Sequence, residues 1–197
     1  MKAFSNLLSD LILTSSRNRK LSLLEQYFSS TPDPDRGYAL AALTGTLNFK
    51  NIKASFFKDL IKEKQDEHLF DLSYDYVGDL AETISLLWDQ EKGGNMPRLS
   101  SLFENLKKAK NDELKNHIID ILNISTADQR WAFIKLFTGG LRIGVSSRLV
   151  KQALANYGNV DLEEIEKIWH GLHFPYIDLF SWLENKGRKP KNSIYDI

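Results

Sequence analysis

The segment Thr138-Gly139-Gly140-Leu141-Arg142-Ile143-Gly144-Val145-Ser146 gathers residue types that can hold an anion. Two consecutive glycines, Gly139 and Gly140, allow positive φ and let the backbone approach a partner closely. Gly144 repeats this freedom two residues after Arg142. Val145 and Ser146 then open a helix, whose first-turn N–H groups lack intrahelical acceptors and sit at the positive end of the helix dipole. That combination suits a phosphate. Arg142 can add a bidentate, charge-assisted contact. Arg148 and Lys151, three apart, share one side of the following helix, and Lys135 stands just before the turn. The same residues also read as ordinary punctuation, with Gly139-Gly140 stopping one helix and Ser146 capping the next.

Other segments have the same character. Thr14-Ser15-Ser16-Arg17-Asn18-Arg19-Lys20 pairs cap hydroxyls with three cations, which makes Arg17 and Lys20 candidate phosphate contacts. Thr44-Gly45-Thr46 and Val77-Gly78-Asp79 are small turns that expose amides, and each is equally the pattern of a plain helix junction. Signatures of catalysis are missing: there is no GxxxxGK[ST], no GxSxG and no cysteine nucleophile. The carboxylates are scattered at solvent-facing spacing rather than paired for acid–base or magnesium chemistry. His170 and His173 stand three apart, but no HExxH accompanies them, so a helix-surface role is expected and no metal site.

Helices must position these residues. The chain has 197 residues, 42% hydrophobic and 26% charged, enough to bury a core. Phe4, Leu7, Leu8, Leu11 and Ile12 recur at helical spacing on one face. Leu21, Leu24 and Phe28 line the next helix, and Pro34 can open a third running to about Leu43, with Asp33 as its cap. Similar patterns continue to Asn185, and no strand alternation or repeat is visible. The spacing predicts an all-α fold of about ten to twelve helices in two lobes, about 1–92 and 98–185, divided at the loop Gly93-Gly94-Asn95 to Pro97. The polar, basic tail 186–197 reads as an interdomain linker.

The formal net charge is zero, and it is unevenly spread. Residues 1–97 carry 11 basic and 14 acidic side chains, while 98–151 carry 10 basic and 5 acidic, a local +5. Residues 152–185 carry 1 basic and 6 acidic, and the tail carries 4 basic and 1 acidic. A basic block around the Gly-rich segment favours a polyanion, since attraction depends on the local field. No cysteine and no long apolar span predict a soluble, cytoplasmic protein without membrane association. The reading is a non-catalytic domain that grips nucleic-acid phosphates. A helical protein-interaction scaffold using the acidic 152–185 block is the alternative.

TGGLRIGVSSRLVKQALA resembles the signature of the N-terminal DNA-binding domain of ATP-dependent DNA ligases. YDYVGDLAET resembles that family's second landmark, a Gly-Asp turn entering a helix, and the order and spacing of the two agree. The opening MKAFSNLLSDLILTSSRNRKLSLLEQYF and TPDPDRGYALAALTG resemble the bacterial branch. The resemblance covers essentially the whole chain. It implies an all-α domain on the minor-groove side of double-stranded or nicked DNA, serving nick sealing in repair, replication or recombination. Carried over, backbone contacts fall on Gly139, Gly140, Arg142, Gly144 and Ser146, and on Val77, Gly78 and Asp79. The family's lysyl-adenylate motif Lys-x-Asp-Gly is missing here. The resemblance therefore implies that ATP and Mg belong to nucleotidyltransferase and OB-fold domains expected after residue 197. This stretch is expected neither to bind ATP nor to seal nicks by itself.

Overall fold

Helical periodicity near the N-terminus becomes α1 (Lys2–Leu13), which buries Phe4, Leu7, Leu8 and Leu11. Ile12, expected on the same face, is 48% exposed. The computed structural model describes residues 1–47, 49, 52–89, 92–138, 141 and 143–191. Among these the chain forms twelve α-helices, one 3₁₀ turn and no strand, as the all-α pattern requires. The helices fall into two compact units, each discontinuous in sequence: Met1–Asn6 with Asn48–Leu141, and Leu7–Leu47 with Arg142–Ile197. The Gly93–Pro97 loop, where composition suggests a boundary, lies inside the first unit. It is tied to the helix above it, because Lys92 N–H donates to Asn123 O at 2.8 Å and a Cβ on Gly94 would stand 3.1 Å from Ile124.

The first unit contains α4 (Ala54–Lys62), α5 (Glu67–Val77), α6 (Leu80–Leu87), α7 (Leu99–Lys108), α8 (Asn111–Ile124) and α9 (Ala127–Phe137). The helix α6 packs on α9, α5 on α6, and α7 on α8. Phe57, Phe103, Phe133 and Phe137 are buried in its core, with Phe133 and Phe137 centroids 4.9 Å apart at 60°. Each such ring contributes about 1.5–3 kcal/mol by leaving water, and edge-to-face geometry adds to it.

Arg130 sits inside this apolar setting at 3% exposure. Thr126 and Gln129 start its helix with a reciprocal capping box. The guanidinium then donates to Leu122 O at 2.8 Å, Ser85 O at 3.1 Å and Ser125 O at 2.7 Å. These carbonyls lie at the C-terminal ends of α8 and α6, where no intrahelical donor remains. One cation thus closes two negative helix ends.

The second unit is built from the rest of α1 with α2 (Arg17–Ser30), α3 (Asp35–Leu43), α10 (Ser147–Gly158), α11 (Leu162–Ile168), the 3₁₀ turn Trp169–Gly171 and α12 (Ile177–Leu183). At its centre α10 packs on α2, α3, α11 and α12. The helices α2 and α10 run in the same direction, since Lys20 meets Gly144 and, further along both, Glu25 accepts from Asn156 at 2.8 Å. Glycine is required where α3 crosses the chain before α12: a Cβ on Gly37 would lie 1.7 Å from Pro175 O.

Asp33, expected to cap α3, does not. Pro34 holds the N-cap position without a side-chain bond, and the Asp33 carboxylate instead receives Arg36 Nε and Nη2 at 2.8 and 2.9 Å. A bidentate guanidinium is a stronger partner than a backbone amide. Arg36 also reaches Glu184 at 2.5 Å and stacks 4.2 Å from the Phe180 ring centre. Hydrogen bonds from Arg36, Lys186 and Tyr157 pull the Glu184 carboxyl down to about 2. The start of the basic tail is held on the same unit, with Lys186 on Glu184 at 2.7 Å and Lys189 on Glu164 at 3.1 Å.

Two outcomes are expected. Replacing Arg130 by Met keeps the aliphatic stem and strips buried carbonyls at two helix ends of their donor, so urea unfolding should show a loss of about 3 kcal/mol or more; a loss below ~1 kcal/mol would contradict this capping role. Glu184 is depressed in the folded state relative to its ordinary 4.5. Its stabilising contribution is therefore complete above that value and lost as pH falls toward 2. Denaturation at pH 7 and pH 3 should show a smaller acid loss in Glu184→Gln than in the wild type.

Candidate nucleic-acid interface

Gly139, Gly140 and Arg142 lie outside the described residues. Their flanks are defined. The helix α9 ends at Phe137, and Thr138 closes it by donating its N–H and hydroxyl to Ile134 O at 3.1 and 3.0 Å. Ile143 is buried at 4% exposure, a hydrophobic anchor just before α10. Gly144 adopts φ +66°, a left-handed conformation that favours glycine. Ser146 caps α10 by accepting from Leu149 N–H at 3.1 Å. Among the described residues the N–H groups of Val145, Ser146, Ser147 and Arg148 find no acceptor. Four consecutive donors therefore stand at the positive end of a twelve-residue helix. Arg148 is exposed beside them. Lys151 is half-buried, with its ammonium 4.7 Å from the Trp169 ring centre, a cation–π contact that fixes its direction.

The start of α2 joins this group. Ser16 caps α2 by accepting from Arg19 N–H at 3.3 Å, and Arg17 and Arg19 are exposed. Lys20 is half-buried and donates to Gly144 O at 2.8 Å. Residues 124 apart in sequence are thus bonded directly. Because α2 and α10 run the same way, two positive dipole ends and the cations Arg17, Arg19, Lys20 and Arg148 gather at one end of the second unit. The sequence marks each segment separately and carries no signal of their meeting.

In the first unit, the turn Val77-Gly78-Asp79 links α5 to α6. Gly78 stands at φ 74° and its N–H donates to Tyr74 O at 2.8 Å, closing α5 with a left-handed cap. A Cβ there would meet nothing within 4 Å, so it is the dihedral that favours glycine. Asp79 caps α6 by accepting from Glu82 N–H at 2.9 Å and pairs with Lys135 on α9. Burial alone would raise the Asp79 carboxyl; the bonds from Lys135 and Glu82 outweigh it and hold the group below its usual range. The carboxylate is therefore engaged, while the N–H groups of Asp79 and Leu80 have no partner among the described residues. The pairing of Lys135 with Asp79, 56 residues away, escapes sequence reading.

Other candidates fall away from this arrangement. The amides of Thr44-Gly45-Thr46 are spent on α3, with Gly45 N–H on Ala42 O at 3.2 Å and Thr46 N–H on Ala41 O at 2.9 Å. His170 and His173 are exposed, and no group of three or more metal-ligating side chains occurs among the described residues. Among the same residues no helix is long and apolar enough to cross a membrane.

A search of curated proteins finds no match. The family model described as DNA ligase N terminus matches residues 1–155. That stretch contains the starts of α2 and α10 and the Gly78 turn. With most of its length matched, the chain belongs to the DNA ligase N-terminus family.

Proposed function

We propose that this domain grips the sugar-phosphate backbone of double-stranded or nicked DNA, without reading sequence, as the DNA-binding part of an ATP-dependent DNA ligase. The observation that carries the reading is the common end of α2 and α10, where unpaired amides and exposed arginines meet. In this reading Gly139, Gly140, Arg142, Gly144, Ser146 and Arg148 form the main phosphate contact, with Arg17 alongside and Lys20 bonded to Gly144 O behind it. Lys151 adds positive field one turn further along α10. Val77, Gly78 and Asp79 supply a second contact through their backbone, since the Asp79 carboxylate is committed to Lys135. Amides and arginines that meet phosphates position a protein without sequence information. Such a grip suits an enzyme that acts at any nick, from the minor-groove side, in repair, replication or recombination.

The bacterial branch of the family and a cytoplasmic location belong to the same proposal. ATP and Mg are assigned to the other domains of the ligase, which are partners of this one. Multidomain sharing makes modest affinity of this part alone sufficient.

The test is a salt titration with two unrelated duplexes. Each phosphate contact contributes about −0.9 to the slope of log K against log salt. Arg148→Ala and Arg142→Ala are each expected to weaken binding equally on both sequences and to flatten the slope by about one unit. An unchanged slope in Arg148→Ala would remove it from the contact. Absence of DNA binding by the wild type at low salt, with capture of a protein partner, would favour a helical interaction scaffold instead.

A further inference from the structure

We infer that Lys20 is a positioning residue for the phosphate-binding turn: its ammonium holds the Gly144 carbonyl so that the N–H of Val145 faces outward to a phosphate oxygen. This rests on the phosphate-binding reading above and assigns Lys20 a different task from the arginines around it.

The geometry begins with the 2.8 Å bond from Lys20 Nζ to Gly144 O. In a trans peptide the carbonyl and the following N–H point in opposite directions. With Gly144 O turned onto α2, the Val145 N–H must point away from α2. That N–H has no acceptor among the described residues. It is the first of the four consecutive donors that lead into α10, so its direction decides whether the row is continuous.

Lys20 can impose this because its own base is fixed. Leu21, Leu24 and Phe28 are buried and hold α2 in the unit, and the half-buried Lys20 stem leaves the first turn of that helix. Gly144 cooperates in two ways. Its φ of +66° places the carbonyl, and its missing side chain leaves room, since a Cβ would stand 2.8 Å from Lys20 Nζ. The same freedom is a hazard without the lysine. A glycine peptide can turn over, and the turned peptide would present a carbonyl oxygen to a phosphate in place of a donor.

The experiment compares wild type, Lys20→Met, Lys20→Arg and Arg148→Ala on a nicked duplex between 50 and 200 mM salt. Amide NMR spectra of the free and DNA-bound forms are recorded alongside. The loss of one charge-assisted positioning bond is expected to weaken Lys20→Met about tenfold. Its salt slope should stay near the wild-type value, whereas Arg148→Ala loses ~0.9. The Val145 amide should shift on DNA binding in the wild type and not in Lys20→Met, and Lys20→Arg should recover most of the affinity. A slope in Lys20→Met flattened as much as in Arg148→Ala would make Lys20 a direct phosphate contact and overturn the inference. Unchanged affinity in Lys20→Met would overturn it too, while leaving the DNA-binding reading intact. A wild type that binds no DNA would end both.

Discussion

Arg130 is held by backbone carbonyls at the ends of α6 and α8, and it shows the constraint under which this fold is built. Every helix finishes with carbonyls and begins with amides that its own ladder cannot satisfy. In this protein several carbonyl ends are sealed from within, by Arg130 and by the left-handed Gly78. Amide ends at α2, α6 and α10 are only partly used, with one side-chain acceptor each from Ser16, Asp79 and Ser146. The result is a chain of zero net charge that still offers rows of hydrogen-bond donors. Those donors stand at helix starts whether or not a cation lies beside them.

Local features were readable before the fold was known, because their causes lie within a few residues. Helical spacing placed Phe4, Leu7, Leu8 and Leu11 on a buried face. The caps Ser16 and Ser146 each bond an amide three residues ahead, so type and spacing sufficed. Asp33 defeated the same rule because Arg36, three residues on, competes for its carboxylate. The two units were not readable. Their boundaries follow the pairing of α2 with α10, and no short window contains both helices. The same reason hides Lys20 on Gly144 and Lys135 on Asp79, which turn separate motifs into bonded ones.

The tail illustrates a different limit. Lys186, Arg188, Lys189 and Lys191 read as a solvated linker by composition. Glu164 and Glu184 lie in the acidic block just before it, and they take Lys189 and Lys186. Lys189 also stands 5.4 Å from the Trp182 ring centre. Opposite charge in adjacent blocks was visible from the sequence. That the two would meet depended on α11 and α12 folding back onto α10.

The discontinuous layout of the second unit also sets an order of events during synthesis. The helix α2 emerges early with Leu21, Leu24 and Phe28 on its apolar face, and its partner α10 follows only after more than a hundred further residues. Contacts of such separation form late. Until then the nascent chain carries an unpaired greasy helix, the kind of surface that chaperones hold. The first unit closes earlier, at Leu141. Slower translation across the stretch that encodes it would lengthen the interval before α2 meets α10.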